Sequence, residues 1–293
     1  TSAEATNYLY LRDDTDIQNS YDASQSVMGI YSMVNFAPTE KLRLNGGVRV
    51  EATDMRLESD KLNDETLLPE LQENFLGTLN VVDVLPSLNM TFKLREEDYS
   101  STNLRFSASQ SVARPLFREK APFSVFDFEI QEQQTGNTDL NRTKIVNIDG
   151  RIEVFPRLRE LLSLSAFYKH FNDPIEQVII STAANTEITW KNVGEAQLFG
   201  LEFEAKKNLG FLSEKLSAFN FAFNATYIQS ATSIAEDELM EIRATDPDHD
   251  ETRPMYGQSP YIINSILNYT HADRGLGMNA GFNISGPKLV LIT

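Results

Sequence analysis

Residues 85–117 read LPSLNMTFKL, then REEDYSS, then TNLRFSASQSVARPLF. Taken at every second position, Leu88, Met90, Phe92 and Leu94 share one face of an extended chain, and Ser87, Asn89, Thr91 and Lys93 share the other. After the polar break the pattern resumes, with Leu104, Phe106, Ala108 and Val112 opposite Arg105, Ser107, Ser109 and Ser111. The stretch therefore predicts an antiparallel hairpin with one apolar and one polar face.

Segments of the same kind recur on both sides. SVMGIYSMVNFA from Ser26 and LRLNGGVRVEATDMRL from Leu42 precede the hairpin. KIVNIDGRIEVF from Lys144, ELLSLSAFYKHF from Glu160, AQLFGLEFEAK from Ala196, SAFNFAFNATY from Ser217, YIINSILNYTH from Tyr261 and MNAGFNISG from Met278 follow it. This makes about ten strands. The apolar bits QVII and EITW, within 172–194, are expected to lengthen neighbouring strands, and EDELMEIRA to form one helical turn or two.

The connections alternate in length. They are short at 38–41, 95–101, 156–160, 208–215 and 272–277, and longer in between. In an up-and-down sheet every second turn lies at the same end, so the short turns gather at one rim and the long loops at the other. Alternating strands of about ten residues between short turns and long loops are what a transmembrane β-barrel requires, and a closed barrel satisfies its backbone polar groups in lipid. Phe36, Tyr168, Phe199, Tyr227, Tyr261 and Tyr269 recur near strand ends, where an interfacial girdle belongs. A soluble extracellular β-rich binding module would show the same alternation, with its apolar faces packed on each other. A passive porin is the rival within membranes.

Composition narrows the chemistry. Against 42 Asp plus Glu stand 26 Lys plus Arg, and a formal charge of −16 argues against binding a phosphate backbone, so no nucleic-acid partner is expected. Without cysteine there is no disulfide, thiolate site or cysteine nucleophile, and three scattered histidines leave little for zinc or acid–base work. No cofactor, no catalysis and no resident metal are expected. Asp246, Asp248 and Asp250 have the spacing of a calcium loop, but Glu251 stands where glycine belongs and Gly257 where a bidentate glutamate belongs, so the stretch reads as a solvated acidic loop, as do Glu236, Asp237, Glu238 and Glu241. N-x-[ST] occurs at Asn89, Asn141, Asn224, Asn268 and Asn283; four of these lie in strands, where two polar residues of one face explain the match. No run of about 18 apolar residues and no basic-then-apolar leader is seen.

LPSLNMTFKL, LRFSASQSVARPLFREKAP, GNTDL, LSLSAFYKHFNDPIEQVI, NVGEAQLFGLEFEAKK and GQSPYIINSILNY, in this order over most of Ser26 to Leu289, resemble the C-terminal half of the barrel of TonB-dependent outer-membrane receptors of the Bacteroidetes type. The resemblance implies a 22-strand barrel around an N-terminal plug, importing a siderophore, cobalamin or oligosaccharide with energy delivered through TonB. Its implied partners are outer-membrane lipids, the plug, TonB through the plug, and a surface lipoprotein. Residues 1–25 then form an outer loop or strand end and 26–293 a partial outer-membrane β-barrel, an internal fragment with about ten of the 22 strands and neither plug nor closing strand.

On this reading Arg49, Glu51, Arg105, Asp149, Arg151, Glu153, Glu202 and Glu204 line the lumen, chiefly as a charge ladder toward plug and water. Arg105 is expected level with Arg151 to Glu153. Ligand capture falls to the outer loops, with Phe117, Phe123, Phe126, Trp190 and Tyr256 as candidates to stack on a sugar or aromatic ligand.

Overall fold

The computed structural model describes residues 20–59, 76–128, 131–181, 186–271 and 274–289. Strands β1 (Tyr21–Phe36), β2 (Leu42–Ser59), β3 (Leu76–Glu97) and β4 (Ser100–Ala113) are successive neighbours. A short helix α1 (Phe117–Lys120) and strands β5 (Ser124–Asp127) and β6 (Glu132–Thr135) follow, then β7 (Thr143–Phe155) and β8 (Leu161–Asn172). A second excursion makes β9 (Ile175–Ser181) and β10 (Thr186–Asn192) before β11 (Glu195–Asn208) and β12 (Phe219–Ser233). Helix α2 (Glu236–Thr245) and the two-residue β13 (Thr252–Arg253) precede β14 (Tyr261–His271) and β15 (Leu276–Ser285).

The large sheet runs β1-β2-β3-β4-β7-β8-β11-β12-β14-β15, with β13 added beside β12, and every neighbouring pair is antiparallel. Among the described residues β1 and β15 end this path and do not pair with each other. Chain order and spatial order agree, which sends all the short turns to one end.

Several strands are longer than the alternation suggested. β3 holds 22 residues and β2 holds 18, and β1 starts at Tyr21, within the segment expected as a loop or strand end. Residues 1–19 of that segment, and 60–75 of the acidic stretch after β2, lie outside the described residues.

Cross-strand register sorts the side chains onto two faces. Ile30, Val50 and Val84 form one row, and Leu44, Met90 and Phe106 another, all on the apolar face. Ile30 is 74% exposed there, so among the described residues no second layer covers it. Tyr168 and Phe199 are direct partners near the loop end, as are Tyr227 and Tyr261, while the Phe219 and Tyr269 rings meet at a tilt, 4.8 Å apart, near the short turns. All six girdle aromatics stand on this face.

The apolar pattern then inverts toward the loop end. On β2 the apolar face carries Leu42, Leu44, Val48, Val50 and Ala52, but beyond it Asp54, Arg56 and Glu58. The paired register puts Val82 beside Ala52 and polar Asn80 beside Asp54. Over the same rows the opposite face turns apolar, at Met55, Leu57 and Leu79, which are buried. Ten residue steps from Leu42 to Ala52, at about 3.3 Å each and a tilt of about 40°, make a band about 25 Å tall. That is the height of a hydrocarbon layer, and the inversion marks its edge.

Beyond the edge the polar face acquires a lid. Met55, Leu57 and Leu79 pack with Ala121 of the loop after α1, joined by Tyr21, Val81 and Phe123. The long connection after Arg114 is thus folded, and β9 and β10, which hold QVII and EITW, do not lengthen their neighbours. They pair with each other, and β10 adds β6 in parallel to give a second sheet, β5-β6-β10-β9. The acidic helix is ten residues rather than one or two turns.

Candidate functional site

The polar face carries two separate networks of paired charges and two carboxylates held by neutral side chains. Arg105 faces Arg151 directly across β4 and β7, and Glu153 accepts from Arg105 and lies 3.6 Å from Arg151 Nε. Arg151 Nη2 reaches Glu204 on β11 at 2.9 Å, and Lys206 Nζ meets Glu204 at 2.8 Å. Like charges opposite each other oppose pairing, so Glu153 and Glu204 are what allow two arginines in one row. Asp149 accepts from Ser107 Oγ at 3.1 Å, and Glu202 accepts from Asn224 Nδ2. Arg49 Nε lies 2.6 Å from Glu51, which also binds Arg114 at the start of the long loop after β4. All eight candidate lumen residues lie on this one face and belong to paired groups.

Above them a cleft of about 550 Å³ opens on the same face. Ser111, Ile145 and Phe171 form one cross-strand row of its floor, and Asn147, Lys169 and Leu198 supply the next. Its roof is the segment from Met255 to Gln258. Lys169 Nζ donates to Asn147 Oδ1 at 2.6 Å, and Asn147 Nδ2 donates to Ser111 Oγ at 3.1 Å. Among the described residues Lys169 makes no ion pair, unlike the arginines below it. The cleft thus offers a cation with spare donors, an amide, and the apolar surfaces of Phe171, Leu198 and Tyr256.

The roof is tied down. Tyr256 N–H donates to Glu176 Oε1 at 3.2 Å and its hydroxyl to Gln177 Oε1 at 2.9 Å. Arg253 Nη1 lies 2.8 Å from the buried Glu176 carboxylate. Gly257 has φ +71°, a turn that a side chain would strain, and its N–H bonds Leu289 O.

The loop aromatics separate. Tyr256 lines the cleft. Phe123 packs at a tilt 4.8 Å from Tyr21 and belongs to the loop core. Trp190 is half-buried in β10, where its carbonyl accepts from Asn137 Nδ2 at 2.8 Å. Phe117 sits on α1 and Phe126 on the edge strand β5, edge-on to Phe128 at 5.1 Å. The structure does not gather the five into one site.

Two motifs quoted from the sequence do meet. Lys120 of FREKAP is buried, and its Nζ donates to Leu140 O at 2.7 Å and to Thr138 O, both in GNTDL. Asn137 N–H donates to Glu119 O at 2.7 Å. A Cβ on Gly136 would stand 2.1 Å from Ala121 O, so only glycine passes here. Burial holds the Lys120 ammonium below its ordinary range, partly opposed by Asp139, and burial pushes the Glu119 carboxyl up, partly opposed by the Leu116 N–H.

Lys169, Glu176, Arg253 and Lys120 escaped the sequence reading. A signal for the cleft existed in Ile145, Phe171 and Leu198, apolar residues at polar-face positions near the loop end. Among the described residues no cluster of three or more His, Asp or Glu is placed to hold a metal, and Asp246 instead lies 3.2 Å from His249 Nδ1. The side chains of Glu236, Asp237 and Glu241 lie outside the described set.

A single antiparallel up-and-down sheet with a lipid-height apolar face, aromatic rows and a charged opposite face is the wall of a transmembrane β-barrel, with short periplasmic turns and long extracellular loops. The family described as TonB dependent receptor-like, beta-barrel matches residues 2–287, and the chain belongs to it. Members of that family are bacterial outer-membrane transporters, not enzymes. No curated protein matches the chain. Among solved structures, a double mutant of the Serratia marcescens hemophore receptor HasR, in complex with its hemophore HasA and heme, superposes with TM-score 0.59 at 14% identity, over 90% of this chain and 44% of that one. The copper transporter OprC gives 0.57 at 16%, over 85% and 33%. The siderophore receptor PirA of Pseudomonas aeruginosa gives 0.53 at 16%, over 90% and 49%. At such identities the likeness is one of fold. The chain spans a third to a half of these structures.

Proposed function

We propose that this chain forms part of the wall and outer vestibule of a receptor that takes up a scarce ligand, a siderophore, cobalamin or oligosaccharide, with energy delivered through TonB. The observation that carries the reading is the cleft roofed by Met255–Gln258, where Lys169 keeps free donors beside Phe171 and Tyr256. An anionic or hydroxyl-rich ligand with an apolar body matches that lining. The charged groups below would face the plug and water, since each already has an ion-pair or hydrogen-bond partner on the wall and little left to offer a ligand. Lipids surround the apolar face in this reading, a plug fills the lumen and couples to TonB, and a surface lipoprotein would meet the loops.

The test is uptake by cells that depend on the complete receptor for the scarce nutrient. Lys169→Ala and Tyr256→Ala should lower uptake at limiting ligand with unchanged surface amount, and removal of TonB should abolish uptake. Uptake that persists without TonB would make the protein a passive porin. Wild-type uptake by both variants would move ligand capture out of the cleft.

A further inference from the structure

The wall contains a fork. β3 and β4 are paired from Glu97 and Ser100 up to Ser87 and Ser109, and there the pairing stops. Pro86, with no N–H to donate, is the next residue on β3. Above it β3 stays bonded to β2 alone, as far as Leu76, while β4 continues to Ala113 bonded to β7 alone.

A slot of about 330 Å³ fills the fork. Val82, Val84, Val112 and Val146 supply its apolar-face side. On the polar face it is lined by Asp83, whose Oδ1 lies 2.5 Å from Arg142 Nε, both side chains being nearly buried. At the rim stands Lys144, in register with Val112 on one side and Asn172 on the other. Lys144 is exposed and, among the described residues, makes no ion pair. It stands one step beyond Val146 on the apolar face, where the lipid band of β7 ends.

We infer that this slot holds an acyl chain of a phosphate-bearing anionic lipid of the outer leaflet, with the phosphate on Lys144 and the Asn172 amide. The argument is complementarity at a fixed depth: the occupant of a groove on a lipid-facing wall is lipid, and an unpaired cation at the band's edge above an apolar slot selects an anionic headgroup. The inference rests on the apolar face meeting lipid. Heat-dependent migration on a denaturing gel tests that placement separately.

The experiment is native mass spectrometry of the complete receptor in detergent, with phosphatidylglycerol or phosphatidylcholine added and inorganic phosphate as a competitor. Phosphatidylglycerol should be retained in preference to phosphatidylcholine, and Lys144→Gln should lower its retention about fivefold, the worth of one lysine at an anionic lipid surface. Val84→Trp, at a side chain already open to lipid, should block the slot and lower retention with the fold intact. Equal retention of the two lipids, or an unchanged adduct in either folded variant, overturns the assignment. So does displacement of the adduct by inorganic phosphate alone, since the acyl chain would then contribute nothing. Should Lys144→Gln fail to fold, the Val84→Trp result decides.

Discussion

Replacing Glu153 by Gln isolates the charge network. Glu153 is 6% exposed and serves two guanidiniums, Arg105 by a direct hydrogen bond and Arg151 at 3.6 Å. Removing one partner of a fully buried pair costs about 3–5 kcal/mol. Here the cost is smaller. Half of the Arg105 side chain is exposed, so water screens that pair to about 1 kcal/mol or less. Arg151 keeps Glu204 at 2.9 Å and loses only the longer contact. With the carboxylate gone, Arg105 and Arg151 confront each other across the ladder without the charge between them, a penalty of about 0.5–1 kcal/mol. The sum is about 1–2 kcal/mol. Chemical unfolding of the receptor in detergent, followed by far-ultraviolet circular dichroism, measures it, and Glu97→Gln at the exposed short-turn end should leave the midpoint unchanged. A cycle with Arg105→Met should show coupling of about 1 kcal/mol between the two sites. A wild-type midpoint for Glu153→Gln, or no coupling in the cycle, would refute the network as a structural element.

Leu201→Arg, near mid-band on the apolar face, should cost about 2–4 kcal/mol in a bilayer, while Gln197→Arg, past the band's edge, should cost about 1 or less; equal small costs in unfolding titrations would mean that the face meets water. Gly136→Ala should detach the loop that carries α1, because the added Cβ meets backbone rather than a movable side chain. A loss of about 2 kcal/mol or more, read as protease cutting within 114–142, is the expected outcome. The same loop should respond to pH at both ends. Lys120 has its pKa lowered in the folded loop, so the unfolded chain holds more protons between the lowered and ordinary values, and loop protection should rise with pH through that window. Glu119 has its pKa raised, so protection should fall as pH climbs from the ordinary carboxylate value through the raised one. Hydrogen exchange of residues 117–140 reads both, and Lys120→Met should remove the alkaline limb while loosening the loop.

Alternation along each strand and alternation of connection lengths were local facts, legible without coordinates. Together they decide strand order, the end that carries the loops, and the residues that share each face, because a period of two allows no other sorting once neighbours pair in chain order. Hence Arg105, Arg151, Glu153 and Glu204 could be placed on one face from sequence. Their partners could not. Which carboxylate reaches which guanidinium depends on register, and register depends on where a fork such as the one at Pro86 interrupts pairing. The loops show the same division. FREKAP and GNTDL are visible as strings, yet the burial of Lys120 against Thr138 and Leu140 exists only after the chain has turned back on itself. Lys169 looked like one more polar position in an alternating strand; the Met255–Gln258 roof, some ninety residues away, makes it part of a cleft. Contacts at long sequence separation leave no periodic trace. The hairpin at 85–117 therefore settled its faces and topology by itself, whereas the slot above Pro86 and the cleft above the charge network were decided by the tertiary structure.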